Sequence, residues 1–237
     1  MRYAFMLKKG LIVAAAALAI STPALADGDC NIPDGTVKNL QAKLAAVVNL
    51  PDANGGLFKP NRMWSAVVDR QGILCSVVRS DPDAWPGSRS IAIAKASTAN
   101  DFSNNKTALS TANLYSFTQP ANTAVATTFP AGSLYGLNNS NPFNPEFQPQ
   151  GTGIGSVPGG IITFGGGVPL YMGGQVIGGL GVSGDTACAD HAIAFRMRRL
   201  AGLDGTPSSD NIVYLGAGEL PHDVGHPHCF LGHDITP

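Results

Sequence analysis

Apolar residues recur at helical spacing at Val37, Leu40, Leu44, Val47 and Val48, with Asp34 or Thr36 placed to cap the segment and Pro51 to end it. Two apolar runs follow, Met63–Val68 and Ile73–Val78, and the linker Asp69-Arg70-Gln71-Gly72 predicts that they form a hairpin. Pro86, Gly87 and Ser88 open an alanine-rich helix predicted from Arg89 to about Phe102, and Ser110–Phe117 reads as a shorter one. From Gln119 to Gly160 Pro, Asn, Gly and Ser dominate, which predicts a long loop that is functional or ordered by its partners. Strand character returns at Ile161–Phe164. Val168–Met172 and Gln175–Val182 are β-prone runs, and Gly173-Gly174 between them suits a two-residue turn at positive φ. Asp185 or Thr186 can cap a last helix with Ala189, Ile193, Met197 and Leu200 on one face, cations near its carboxyl end and Gly202 as its stop. After Gly202 only Ile212–Leu215 suggests regular structure. This order of elements predicts an α+β fold, a central antiparallel sheet flanked by helices.

The amino terminus changes the picture. Arg2, Lys8 and Lys9 precede an uncharged apolar run, Leu11–Ile20, and then Ala24-Leu25-Ala26. Residues 1–26 therefore read as a secretory leader, too short in its apolar part to span about 30 Å of hydrocarbon. The expected organisation is a leader, one domain over residues 27–205 carrying the long insertion, and a histidine-rich tail over residues 206–237. A periplasmic or secreted location follows. The chain of 237 residues has a net charge of −1, and loss of the basic leader makes it more acidic. That balance offers no electrostatic footprint for nucleic acid, and nothing else in the sequence suggests a membrane span. All four cysteines lie beyond the leader, and an even number in an oxidising compartment favours two disulfides. Three pairings are open to them. The expected one joins Cys188 to Cys229 and Cys30 to Cys75.

Candidate chemistry concentrates in the tail, where His222, His226, His228 and His233 cluster while the fifth histidine, His191, sits on the last helix. Imidazole ligates transition metals and haem iron, so His222, His226, His228 and His233 form a candidate metal set, against a plainer reading as solvated side chains. A Cys188–Cys229 bridge would draw His191 and His228 towards each other. Gly179-Leu180-Gly181-Val182-Ser183-Gly184 imitates a dinucleotide fingerprint, but it follows a hairpin and too little chain remains for a βαβ unit. Strand packing explains those glycines better.

Two blocks also carry a resemblance. Gly166-Gly167-Val168-Pro169-Leu170, Val176-Ile177-Gly178 and Gly181-Val182-Ser183-Gly184 resemble the glycine hairpin of the haem-binding or haem-degrading GlcG/HbpS-like family, and Ile91–Ala99 resembles its Ala- and Lys-containing helix. The likeness runs from about Asp34 to Gly202 and is strongest to exported, longer members. It implies a profilin-like α/β sandwich, haem or another tetrapyrrole as ligand, and a homo-oligomer built through the alanine-rich helix or the sheet. For such a ligand His191, His226 or His228 is expected to coordinate iron, a reading that comes from the histidines themselves because the tail lies outside the resembling stretch, with Lys95 or an arginine holding propionates and Tyr171 lining the pocket or offering a phenolate. Related members also imply haem degradation and organic-acid or corrinoid pathways. A metal- or haem-assisted enzyme acting on a small molecule, and a ligand-free oligomeric module that binds partners, are the competing expectations.

Overall fold

A computed structural model describes residues 29–59, 61–120, 134–137, 159–205, 209–230 and 233–237. Its main elements are α1 (Asp34–Val47), β1 (Trp64–Asp69), β2 (Leu74–Arg79), α2 (Pro86–Phe102), β3 (Gly167–Met172), β4 (Gln175–Ser183) and α3 (Ala187–Leu200). Two short strands, β5 (Val213–Tyr214) and β6 (Gly225–His226), complete them. The four long strands form one antiparallel sheet in the order β2-β1-β4-β3. The fold is α+β, with α2 on one face of the sheet and α1 and α3 on the other.

The two faces follow from period-two alternation along the strands. Val67, Val168, Leu170, Leu180 and Val182 point to the α1/α3 layer and meet Leu40, Leu44, Ile193 and Met197. On the other face Ala66 and Val68 meet Ala92 and Ala96 of α2. There β4 presents Gly179 and Gly181, and no side chain fits at either. A Cβ on Gly181 would stand 1.9 Å from the Ala92 carbonyl oxygen, and one on Gly179 2.1 Å from that of Ala96. The small residues of α2 are therefore used inside the chain, where backbone approaches backbone.

Local chemistry sets the element ends. The turn Gly173-Gly174 has φ of 59° and 77°, a conformation that glycine adopts without steric cost. Thr186 caps α3, its side chain accepting from the Ala189 amide. Asp185 turns elsewhere, accepting from the amides of Leu57 (2.8 Å) and Phe58 (2.9 Å). No side chain caps α1, whose entry residue is Pro33. The α2 helix begins earlier than Arg89, because Pro86 fits the first turn, where its missing N–H costs nothing.

Two predicted elements are absent. Residues 111–115 form turns instead of a helix, since Asn113 Oδ1 accepts from both the amide and the hydroxyl of Ser110 and the Thr111 amide donates to Gly167 O. Only Ser116–Thr118 turns helically, as a 3₁₀ segment. Residues 161–164 run beside α2 as irregular chain, with the Ile162 amide donating to Thr98 Oγ1 at 2.9 Å. Conversely, β5 and β6 pair in parallel, Val213 with Gly225 and Tyr214 with His226, where the sequence suggested one isolated run. Most of the loop expected over residues 119–160, and the leader, lie outside the described residues. No helix among the described residues is long and apolar enough to cross a membrane.

Two disulfides are closed. Cys30–Cys75 fastens the chain ahead of α1 to β2, and Cys188–Cys229 fastens the tail to the first turn of α3.

A buried imidazole cluster under a disulfide-tied tail

The cluster starts from α3, whose buried face carries Asp190, His191 and Arg198 in addition to its apolar residues. Asp190 Oδ1 accepts from the amides of Gly184 (3.1 Å) and Asp185 (3.0 Å), and its Oδ2 accepts from Lys95 Nζ at 2.6 Å. Lys95 also donates to Val182 O at 3.2 Å and lies 4.9 Å from the Phe164 ring centroid. Burial works against charge at both ends of this pair: it lowers the Lys95 ammonium and pushes the Asp190 carboxyl up to about 6. The Lys95 ammonium is thus committed within the protein. Arg198 is likewise spent on Asp210 and on Pro169 O.

His191 is fully buried beside them. Its Nε2 lies 3.3 Å from Asn211 Oδ1, an oxygen that also accepts from the Ile212 amide, so Nε2 carries the proton. Nδ1 then presents a lone pair, and it has no hydrogen-bond partner among the described residues. Burial, followed by the neighbouring His226 and Arg198, pushes this imidazole down to about 3. His226 is buried too. Its Nδ1 donates to Pro227 O at 2.7 Å and its Nε2 accepts from the Gly165 amide at 3.2 Å. Burial pushes it down to about 4. Both rings are therefore neutral near pH 7, the state in which imidazole ligates a metal. Gly165 touches both: a Cβ there would stand 3.0 Å from His191 Cβ.

The remaining predicted residues go elsewhere. His228 pairs with Asp234, His222 lies 3.3 Å from both Glu219 and Asp223, and His233 Nδ1 lies 3.0 Å from Gly55 O. The carboxylates raise His228 and His222 above the ordinary imidazole range. The groups of metal-ligating side chains found together among the described residues are Cys30, Asp69 and Cys75, and Cys188, Cys229 and Asp234. Their sulfurs are oxidised, so neither group offers thiolates. The tail histidines thus disperse to separate partners. Tyr171 is buried with Ala108 and Val176, its hydroxyl donating to Asn104 O at 2.7 Å.

The tail itself closes the site. Ser116 Oγ donates to Gly225 O at 2.6 Å, and the Leu215 amide donates to His226 O at 2.9 Å. The Tyr115 and His226 rings lie 5.5 Å apart, and Tyr214 stacks on His228. A groove of about 360 Å³ opens just past His191, where Phe195, Arg198 and Asn211 contribute to its wall. Larger grooves between α1 and β2, about 480 Å³, and beside Leu50 and Leu200, about 720 Å³, lie elsewhere. None of the three is lined by His191 or His226.

Sequence reasoning missed Asp190, Asn211, Asp210 and Tyr214. An acid in the first turn of α3, on the same side as the apolar stripe, was the available signal for Asp190. The partners of His191 carried none.

The profile of the family described as haem degrading protein HbpS-like matches residues 59–198, from ahead of β1 almost to the end of α3. No curated protein matches the chain in sequence. Among solved structures, a Klebsiella pneumoniae protein, ORFY, is 24% identical with a TM-score of 0.49, over 72% of this chain and 90% of its own. PduOC, solved as a haem complex, is 24% identical with a TM-score of 0.49, over 70% of this chain and 91% of its own. A double mutant of Streptomyces reticuli HbpS is 16% identical with a TM-score of 0.41, over 81% of this chain and 98% of its own.

Proposed function

The chain belongs to the haem degrading protein HbpS-like family, and from that premise we propose that it is an exported haem-binding protein with His191 as its nitrogen donor. The observation that carries this reading is the bare, buried Nδ1 of a neutral imidazole inside the matched residues. A buried acceptor without a partner costs about 1–3 kcal/mol, a penalty that a ligand would remove. Haem would supply an iron that takes such a nitrogen. The donor chemistry fits. The space does not fit in this closed form: His226, Gly165 and Asn211 close around the ring, and none of the three grooves described is lined by it.

Lys95 and Arg198 have little to offer propionates, since both are spent on buried carboxylates. Their part is to hold α3 against α2 and β3, and so to fix the ring of His191. Arg199, exposed on the wall of the groove past His191, is the cation placed for an anionic ligand edge. Two disulfides support export to an oxidising compartment.

Hemin titration tests the reading. A saturable Soret shift that His191→Ala abolishes is expected. Absence of binding, or unchanged binding in that variant, overturns it. The family description favours a second reading in which bound haem is then degraded. Decay of the Soret band under oxygen and ascorbate, with a linear tetrapyrrole as product, distinguishes turnover from storage.

A further inference from the structure

The matched domain ends at Arg198, and the chain beyond it returns across the imidazole cluster. We propose that residues 209–230 form a strap latched by Cys188–Cys229, and that opening this latch by a dithiol admits the ligand to His191. The proposal rests on the haem reading for its ligand, but the strap and its latch are properties of the chain itself.

Three observations carry it. First, the start of the strap is held to α3 by the buried Arg198–Asp210 pair, and beyond that hinge it meets the domain largely through polar contacts that could part and be re-solvated. His226 Nε2 takes the Gly165 amide, Gly225 O takes Ser116 Oγ, and Asn211 O takes Asn113 Nδ2 at 3.2 Å. Its apolar contribution is small: Ile212 packs with Ala112 and Cys188, flanked by Tyr214 and Cys229. Second, His226 fills the position next to His191 with an imidazole whose lone pair is occupied by a backbone amide. It acts as a plug, and the neighbouring His191 keeps its own lone pair free of any partner among the described residues. Third, the covalent tie sits where exchange chemistry is favoured. The Cys188 amide, in the first turn of α3, donates to Cys229 Sγ at 3.2 Å. Cys188, the sulfur in that first turn, is the one whose thiolate the helix amino terminus favours as leaving group, against the Asp234 carboxylate, whose Oδ1 lies 3.9 Å from Cys188 Sγ.

The exchange balances without further reagents. One thiolate of the dithiol attacks Cys229 Sγ, the half-buried sulfur, and the Cys188–Cys229 bond breaks to release the Cys188 thiolate. The second thiol of the reagent then attacks the mixed disulfide, leaving as an intramolecular disulfide and freeing Cys229. The dithiol loses two electrons and two protons, and the protein gains both as two thiols.

The full mature chain is compared with its Cys188→Ser/Cys229→Ser variant, which opens the latch without adding a thiolate that would itself bind iron. Cys30→Ser/Cys75→Ser is the control for loss of a disulfide elsewhere. Hemin affinity and amide exchange at Gly165 and Gly225 are read in each. We expect at least tenfold tighter hemin binding and faster exchange at both amides in the latch variant alone. Equal affinity with unchanged exchange overturns the latch and leaves the haem reading standing. If no form binds hemin, the haem reading fails and exchange alone decides: faster exchange at Gly165 and Gly225, with α2 still protected, upholds the strap, and no change sinks it. His226→Ala, which removes the plug with the disulfide intact, is read by hemin affinity and by exchange at Gly225 if the serine variant does not fold, since the Gly165 amide loses its acceptor in that variant.

Discussion

Lys95 and Asp190 meet at 2.6 Å inside the protein, an ammonium from α2 and a carboxylate from α3 reaching each other around the end of β4. Each is costly to bury alone, and neither is left alone. Asp190 takes two backbone amides as well, so the pair also fixes the turn from β4 into α3.

Lys95→Met should therefore destabilise the fold by about 3–5 kcal/mol, because it strands a buried carboxylate. Lys95→Met with Asp190→Asn should cost less than the sum of the two single changes, since the amide needs no counter-charge. Urea midpoints for the four proteins give the coupling directly. Additive costs would mean that the two groups act independently.

His191 should behave unlike an ordinary buried polar residue. His191→Leu removes an acceptor that has no partner, while Asn211 Oδ1 keeps the Ile212 amide. Stability should stay within about 1 kcal/mol of the parent or rise, and hemin ligation should vanish. A loss of several kcal/mol in denaturant unfolding would show that the ring is structural.

Acid should loosen the strap. The folded His226 imidazole is held to about 4 against 6.5 in the free side chain. As pH falls through 6.5 the unfolded chain takes up a proton that the folded chain refuses, so stability declines until about pH 4. The slope for one such group is about 1.4 kcal/mol per pH unit, and the total is on the order of 3 kcal/mol. Asp190, raised to about 6, works in the opposite sense as pH falls, and His191, pushed down to about 3, works in the same sense as His226; both contribute in parent and variant alike. His226→Gln should accordingly flatten the difference in unfolding midpoint between pH 7 and pH 4.5. An unaltered acid slope in that variant would contradict the assignment.

Gly181→Ala tests the seam between helix and sheet. Its methyl would stand 1.9 Å from the Ala92 carbonyl oxygen, so backbone must shift. A loss of about 3 kcal/mol or more is expected by thermal unfolding. Gly87→Ala, in open space at the start of α2, should change stability little or raise it.

Legibility in the sequence followed range. The β3–β4 hairpin and α3 could be read because Gly173-Gly174 and Thr186 act on their immediate neighbours. The segment 110–117 misled because Ser110 and Asn113 bond each other in place of the helical ladder. Strand-like Ile161–Phe164 is held instead by Thr98, a residue 64 positions from Ile162. In the site, the sequence singled out Lys95 and His191 but not what they touch. Asp190 lies 95 positions from Lys95, and the lone pair of His191 is bare only because the fold supplies no donor. The tail histidines looked like a set since they are adjacent in sequence, whereas each turns to a different carboxylate or carbonyl.

The contact of bare strand backbone with the carbonyls of Ala92 and Ala96 leaves no lubricating layer of side chains between helix and sheet. Such a joint cannot slide by fractions of a residue; it is either seated or apart. Whatever the molecule does in response to ligand or solvent must then be carried by its periphery. Slow amide exchange should accordingly map this joint as the last part of the chain to yield to denaturant.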